Sequence, residues 1–257
     1  MEPSSRTVVA HLHLFKNAGT SVEQGLQSHF GEDWLSYDKD HPGSRLSFDE
    51  ALDVLHAQPN VKAFSSHQLR PPISEGGDIC FLPLVFLRHP LDRIRSAYEF
   101  ERKQGGVSPS SRAAAELQLA DWIEFHRERN STQCRNFQTY ALTDLRAEGT
   151  LAPFLKQPIE RHLEAAKAFL GEALAVGLVE DYDASWARIA IWIRDWFPGF
   201  NPPPVQANRT AGGSGAIDQR MARLRSEIGE DAFCQLSDDN AGDLELHRWA
   251  TARATQT

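Results

Sequence analysis

Short apolar runs alternate with helical patterns along most of the chain, and that alternation restricts the fold more than any other feature. The apolar runs are Thr7–Phe15, Val61–Ser66, Leu82–His89 and Ala173–Glu180. Helical spacing of apolar residues fills the intervals, at Thr20–Phe30, Phe48–Gln58, Leu91–Arg102, Arg112–Glu128 and Ile159–Leu170. Strands that are short, apolar and separated by helices predict a mostly parallel sheet covered on both faces. Past Asp183 the pattern is wholly helical, apart from the Pro- and Gly-rich stretch Pro198–Gly215, which reads as a long loop. The expected fold is therefore α/β, a parallel sheet flanked by helices with a largely helical C-terminal part, in one domain over residues 1–257.

The first strand runs into HLHLFKNAGTSVEQGL, His11 to Leu26. A strand, a tight turn and a helix together present free backbone amides and the positive end of a helix dipole to an anion. In this loop Gly19 allows close backbone approach, Thr20 and Ser21 are expected to cap the helix with their hydroxyls, and Lys16 brings a positive charge. An ordinary helix cap beside a surface lysine is the competing reading. A nucleoside triphosphate loop would spell GxxxxGK[ST], with the lysine directly before the hydroxyl residue. Here Lys16 precedes Gly19, so an ATP- or GTP-dependent kinase is disfavoured.

A later strand ends in LVFLRHPLDRIRSAYEFER, Leu84 to Arg102. Arg88 falls at its carboxyl end, where open α/β sheets bind ligands, and a guanidinium can grip a phosphate with two hydrogen bonds. Ser96, further along the following helix, is placed to help. Alone, Arg88 reads equally as the partner of a carboxylate and Ser96 as a solvated helix hydroxyl.

Taken together, the two segments resemble the sulfotransferases that use 3′-phosphoadenosine 5′-phosphosulfate (PAPS), most closely the branch of the heparan sulfate O-sulfotransferases and their bacterial relatives. That branch shows a loop of the form H-hydrophobic-PK-T-AGTS, against HLFKNAGTS here, and LRDPxxRxxSxY, against LRHPLDRIRSAY here. Fainter echoes are NFQTYAL (Asn136–Leu142) and VGLVEDYDASW (Val176–Trp186). The matching segments cover roughly a quarter of the chain. Asn17 stands where the family often has Thr or Ser, Phe15 replaces a common proline, and His89 replaces the usual aspartate.

The resemblance implies a P-loop-like sheet in which Lys16, Asn17, Ala18, Gly19, Thr20 and Ser21 hold the 5′-phosphosulfate of PAPS. It implies that Arg88 and Ser96 hold the 3′-phosphate. Asn208, Arg209 and Thr210 resemble late cofactor-contacting residues, making the loop 198–215 a lid over cofactor and acceptor. It implies two catalytic residues: Lys16, neutralising the leaving phosphate oxygen, and His67, in FSSHQLRPP, acting as base on an acceptor hydroxyl. The products would be a sulfated acceptor (small molecule, glycan or peptide) and 3′,5′-ADP, with no metal required. Competing expectations are a nucleotide kinase with a degenerate loop and a non-catalytic nucleotide-binding protein.

Composition sets the remaining limits. A net charge of −8 argues against a nucleic-acid partner. Cys80, Cys134 and Cys234 lie far apart, which fits no disulfide framework or zinc site and suits a reducing compartment. Neither a secretory leader nor a transmembrane segment is evident, so the chain reads as cytoplasmic. His11 and His13 share one strand face, as metal ligands can. With no third ligand apparent, a hydrogen-bonded buried pair is the preferred reading.

Overall fold

A computed structural model describes residues 6–41, 43–72, 77–143, 156–172, 175–205 and 215–254. Five parallel strands form one sheet: β1 (Arg6–Leu12), β2 (Trp34–Ser36), β3 (Ala63–Ser66), β4 (Ile79–Leu87) and β5 (Ala175–Leu178). Their spatial order is β2-β3-β1-β4-β5. From β1 the chain leaves towards β2 and β3, whereas from β4 it leaves towards β5. The topological switch point, and the crevice that goes with it, therefore lies between the carboxyl ends of β1 and β4.

Alternation along the strands divides the interior. Val8, Ala10 and Leu12 of β1 join Val85 and Leu87 of β4 in one core. That core is covered by α2 (Phe48–His56), α7 (Ile159–Glu172) and α11 (Ala241–Ala254). Val9, Leu82, Leu84 and Phe86 face the other way, onto α1 (Gly19–Phe30) and α8 (Tyr182–Ile193). Gly25 lets α1 approach α8, since a β-carbon there would stand 2.5 Å from the Trp186 ring. A third apolar cluster unites α3 (Pro90–Gln104), α4 (Pro109–Glu116), α5 (Leu119–Glu128), α9 (Ile217–Ile228) and α10 (Glu230–Asp239).

Three local outcomes differ from expectation. The helix expected over Arg112–Glu128 is two helices, because Leu117 and Gln118 are extended and the Tyr98 hydroxyl donates to the Leu117 carbonyl at 2.8 Å. Strand β2 was not anticipated, being three residues long at the sheet edge, too short for a period to show. The first strand ends at Leu12 rather than Phe15, because Lys16 and Ala18 turn the backbone into the left-handed region at φ 66° and 60°. Helix α6 (Phe137–Leu142) falls in the NFQTYAL segment. Among the described residues, no helix is long and apolar enough to cross a membrane. The Pro-rich loop begins pinned to α8: Phe200 is fully buried, and the Trp186 indole donates to the Pro202 carbonyl at 3.0 Å. Asn208, Arg209 and Thr210 lie outside the described residues.

Candidate active site

The loop after β1 fills the crevice. Helix α1 opens at Gly19 with Ala18 as its N-cap, and no side chain caps it, so the expected Thr20 or Ser21 cap is not formed. Thr20 is exposed, Ser21 is buried, and both lie inside the first turn. The amides of Gly19 and Thr20 have no hydrogen-bond acceptor among the described residues, as first-turn amides lack one within their helix. Two non-glycine residues in the left-handed region within one loop are strained. Here they direct the start of α1 towards the crevice.

Lys16 sits with its ammonium 4.3 Å from the Phe100 ring centroid, and burial followed by Arg88 lowers its pKa. The Arg88 guanidinium donates through Nη1 to the Lys16 carbonyl at 3.1 Å and through Nε to Asp92 at 2.7 Å. Arg220, from α9, donates to the same Asp92 oxygen. The carboxylate partner weighed for Arg88 thus exists, yet two guanidinium groups share it, leaving this corner with net positive charge. Arg220 was not foreseen, because α9 reaches the site only through the tertiary fold. Ser96 is buried further along α3, at 4% exposure.

Asn17 points inward. Its amide donates to the Phe86 carbonyl at 2.8 Å and to the Gln138 side chain at 2.7 Å. Gln138 also takes the Arg88 amide at 2.9 Å and donates to the Arg88 carbonyl at 2.8 Å. One side chain therefore ties the loop after β1 to the loop after β4. Gln138 is itself held by α11, where Asp243 accepts the Gln138 and Thr139 amides at 3.0 and 2.7 Å. His89 caps α3; its amide donates to Glu180 at 2.7 Å, and burial with His247 beside it lowers its pKa to about 4.

On the β3 side of the crevice stands His67. Its Nδ1 lies 3.0 Å from Asp38 Oδ2. The other Asp38 oxygen accepts the His67 amide at 2.9 Å and the Ser66 hydroxyl at 2.7 Å. A carboxylate so fixed selects the tautomer with the proton on Nδ1, leaving the Nε2 lone pair available. Burial and His13 lower the His67 pKa, against the pull of Asp38, which favours the neutral ring.

The His67 ring stacks on His13 at 3.8 Å, and His13 in turn lies 5.3 Å from His11. His13 Nδ1 bonds Glu23 at 3.0 Å and His11 Nδ1 bonds the Ser65 hydroxyl at 3.2 Å. His11 is buried, and burial with its two histidine neighbours holds its pKa well below the usual value. Glu23 supplies the third potential ligand atom that the strand lacked, all three lying within 4.8 Å. Each Nδ1 bonds a different partner, Glu23 for His13 and the Ser65 hydroxyl for His11, and the two rings do not bond each other.

No family model matches the chain. A protein of Archaeoglobus fulgidus, described only as an uncharacterized protein, is 27% identical over 249 residues, spanning 94% of this chain and 95% of that one. The similarity extends over nearly the whole of both chains and carries no activity with it.

Proposed function

We propose that the chain is a PAPS-dependent sulfotransferase, transferring a sulfuryl group to an acceptor hydroxyl or amine and releasing 3′,5′-ADP. The observation that carries this reading is the pairing across one crevice of an anion-binding corner and a neutral, carboxylate-oriented imidazole. The corner combines the amides of Gly19 and Thr20, unpaired among the described residues, with Lys16, Arg88 and Arg220. Its chemistry suits a donor with two phosphate positions. A 3′-phosphate would compete with Asp92 for Arg88 and Arg220, while the 5′-phosphosulfate would meet the α1 amides and Lys16.

In the transfer, the acceptor oxygen forms a bond to sulfur as the bond from sulfur to the bridging phosphate oxygen breaks. The acceptor proton passes to His67 Nε2, whose developing charge Asp38 balances. Charge gathering on the departing phosphate is met by Lys16 and the α1 amides. A loose transfer of this kind depends on positioning and charge more than on covalent catalysis.

Calorimetry comparing 3′,5′-ADP with ATP and ADP tests the donor. Tighter binding of 3′,5′-ADP is expected, and preference for ATP overturns the reading. Incubation of cell extracts with sulfur-labelled PAPS and the protein then identifies the acceptor; Lys16→Ala and His67→Ala should abolish the labelled product.

A further inference from the structure

Two arginines, Arg45 and Arg70, have no carboxylate ion pair among the described residues, and Arg70 lies within electrostatic reach of Asp38, the partner of His67. The segment after β2 and the segment after β3 make an isolated parallel bridge, Leu46 with Leu69. Its bonds run from the Leu46 amide to the Gln68 carbonyl at 2.8 Å and from the Arg70 amide to the Leu46 carbonyl at 2.9 Å. Leu46 and Leu69 are both buried in the core. By the two-residue alternation of extended chains, Arg45 and Arg70 emerge together on the opposite face, as diagonal neighbours.

Among the described residues, neither guanidinium forms an ion pair with a carboxylate. Arg70 spends one donor on the Leu69 carbonyl at 2.7 Å. The carboxylates in electrostatic reach are already engaged. Asp38 holds Ser66 and His67, while Glu50 holds Lys39 and the Ser47 cap of α2. Burial, with Arg70 added in the case of Arg45, lowers both arginines to about 10. In a chain of net charge −8, this is a local excess of positive charge on two guanidinium forks, Arg70 half-buried and Arg45 exposed, the arrangement that binds an oxyanion in two-pronged fashion.

We propose that Arg45 and Arg70 form the acceptor subsite, holding a carboxylate, phosphate or sulfate of an anionic acceptor next to the hydroxyl presented to His67. The identification of the bound molecule as the acceptor rests on the sulfotransferase reading; the anion site itself does not. The pair lies on the β2–β3 side of β1, away from the β1–β4 crevice where the donor phosphates are assigned. Arg70 lies within electrostatic reach of Asp38, the carboxylate that orients His67, which brings the anion close to the base.

Inorganic sulfate is the probe, titrated into isotope-labelled protein and followed by NMR. Saturable shifts at Arg45, His67 and Arg70 are expected, and Arg45→Gln, an exposed position, should weaken sulfate about tenfold, as should Arg70→Gln. Perturbation confined to Gly19–Ser21 and Arg88, or unaltered sulfate affinity in both variants, overturns the proposal. Binding of 3′,5′-ADP is measured in parallel and should hold to within about twofold in Arg45→Gln. An equal loss of 3′,5′-ADP affinity would assign the pair to the donor and also overturns it. Should wild-type protein bind sulfate beside His67 but not 3′,5′-ADP, the sulfotransferase reading falls while the anion site stands.

Discussion

The His13 ring lies against the α-carbon of Gly19, so closely that a β-carbon at Gly19 would stand 1.8 Å from it. The same ring bonds Glu23 and stacks on His67. Gly19 therefore joins the anion loop to the histidine stack by close approach, a reason for glycine separate from the loop's access to an anion.

Gly19→Ala must displace a buried, hydrogen-bonded ring rather than a free side-chain end. A loss of about 1–3 kcal/mol in unfolding free energy is expected, as for other overpacked sites. Denaturant titration measures it, and the His67 ring signals should move in the same variant because its stacking partner has shifted. An unchanged His67 spectrum would show that the ring and the loop are uncoupled.

Asp38 raises the His67 pKa against burial and against His13. Asp38→Asn removes that support, so the imidazole should titrate at lower pH than in the wild type, as read by NMR. In a sulfuryl-transfer assay the acidic limb of the pH–rate profile should move to lower pH with it. Turnover should drop about tenfold or more, because the Nδ1 proton is no longer fixed. A structural role alone would leave that limb in place.

Acidification should destabilise the fold. Burial first, with neighbouring cations second, holds His89 and His126 at about 4, and His11 and His67 also titrate below the ordinary value of about 6.5. Between those limits the unfolded chain binds more protons than the folded one. The stability from neutral imidazole is thus present above about pH 6.5 and is lost as pH falls through the folded values. Glu101 and Asp243, whose pKa values burial raises, oppose this only at the acid end. His126 faces Arg129 and Arg93 and bonds the Ser110 hydroxyl at 2.8 Å. It alone should account for on the order of 1–2 kcal/mol between pH 7.5 and 5, and His126→Gln should flatten the dependence of the urea midpoint.

Asp243→Ala leaves the Gln138 and Thr139 amides without their acceptor. Burial of unsatisfied groups should cost about 1–3 kcal/mol for each. The more specific outcome is a weakened anion loop. Backbone amide exchange at Asn17, Ser21 and Arg88, whose amides are hydrogen-bonded, should accelerate more than at β5, where no bond of this polar chain ends.

The strands that carry the crevice were legible because β1 and β4 are apolar runs closed by turn residues, and parallel strands buried on both faces leave that mark. Lys16, Gly19 and Arg88 were legible for the same reason, since each sits at the end of such a run. The family resemblance makes Asn17 a ligand of the phosphosulfate, whereas its side chain turns inward to Phe86 and Gln138. Its inward turn depends on left-handed backbone at Lys16 and Ala18, which neither residue type advertises. Asp38, Arg45 and Arg70 could not be found in the sequence. Asp38 is brought to His67 by the pairing of β2 with β3, and Arg45 and Arg70 are brought together by the Leu46–Leu69 bridge, neither of which has a local signal. Gln138 was visible as part of NFQTYAL, but its clamp on Arg88 is a tertiary fact.

The polar chain from Asp243 through Gln138 to Asn17 has a consequence for the order in which the protein matures. β1 and its loop are synthesised before α11, the helix that carries the carboxylate anchoring their clamp. A nascent chain can assemble the sheet before that helix exists, but the loop after β1 stays unclamped until α11 has been made and docked. A chain cut short before α11 would keep all five described strands and lose the carboxylate that locks the loop after β1.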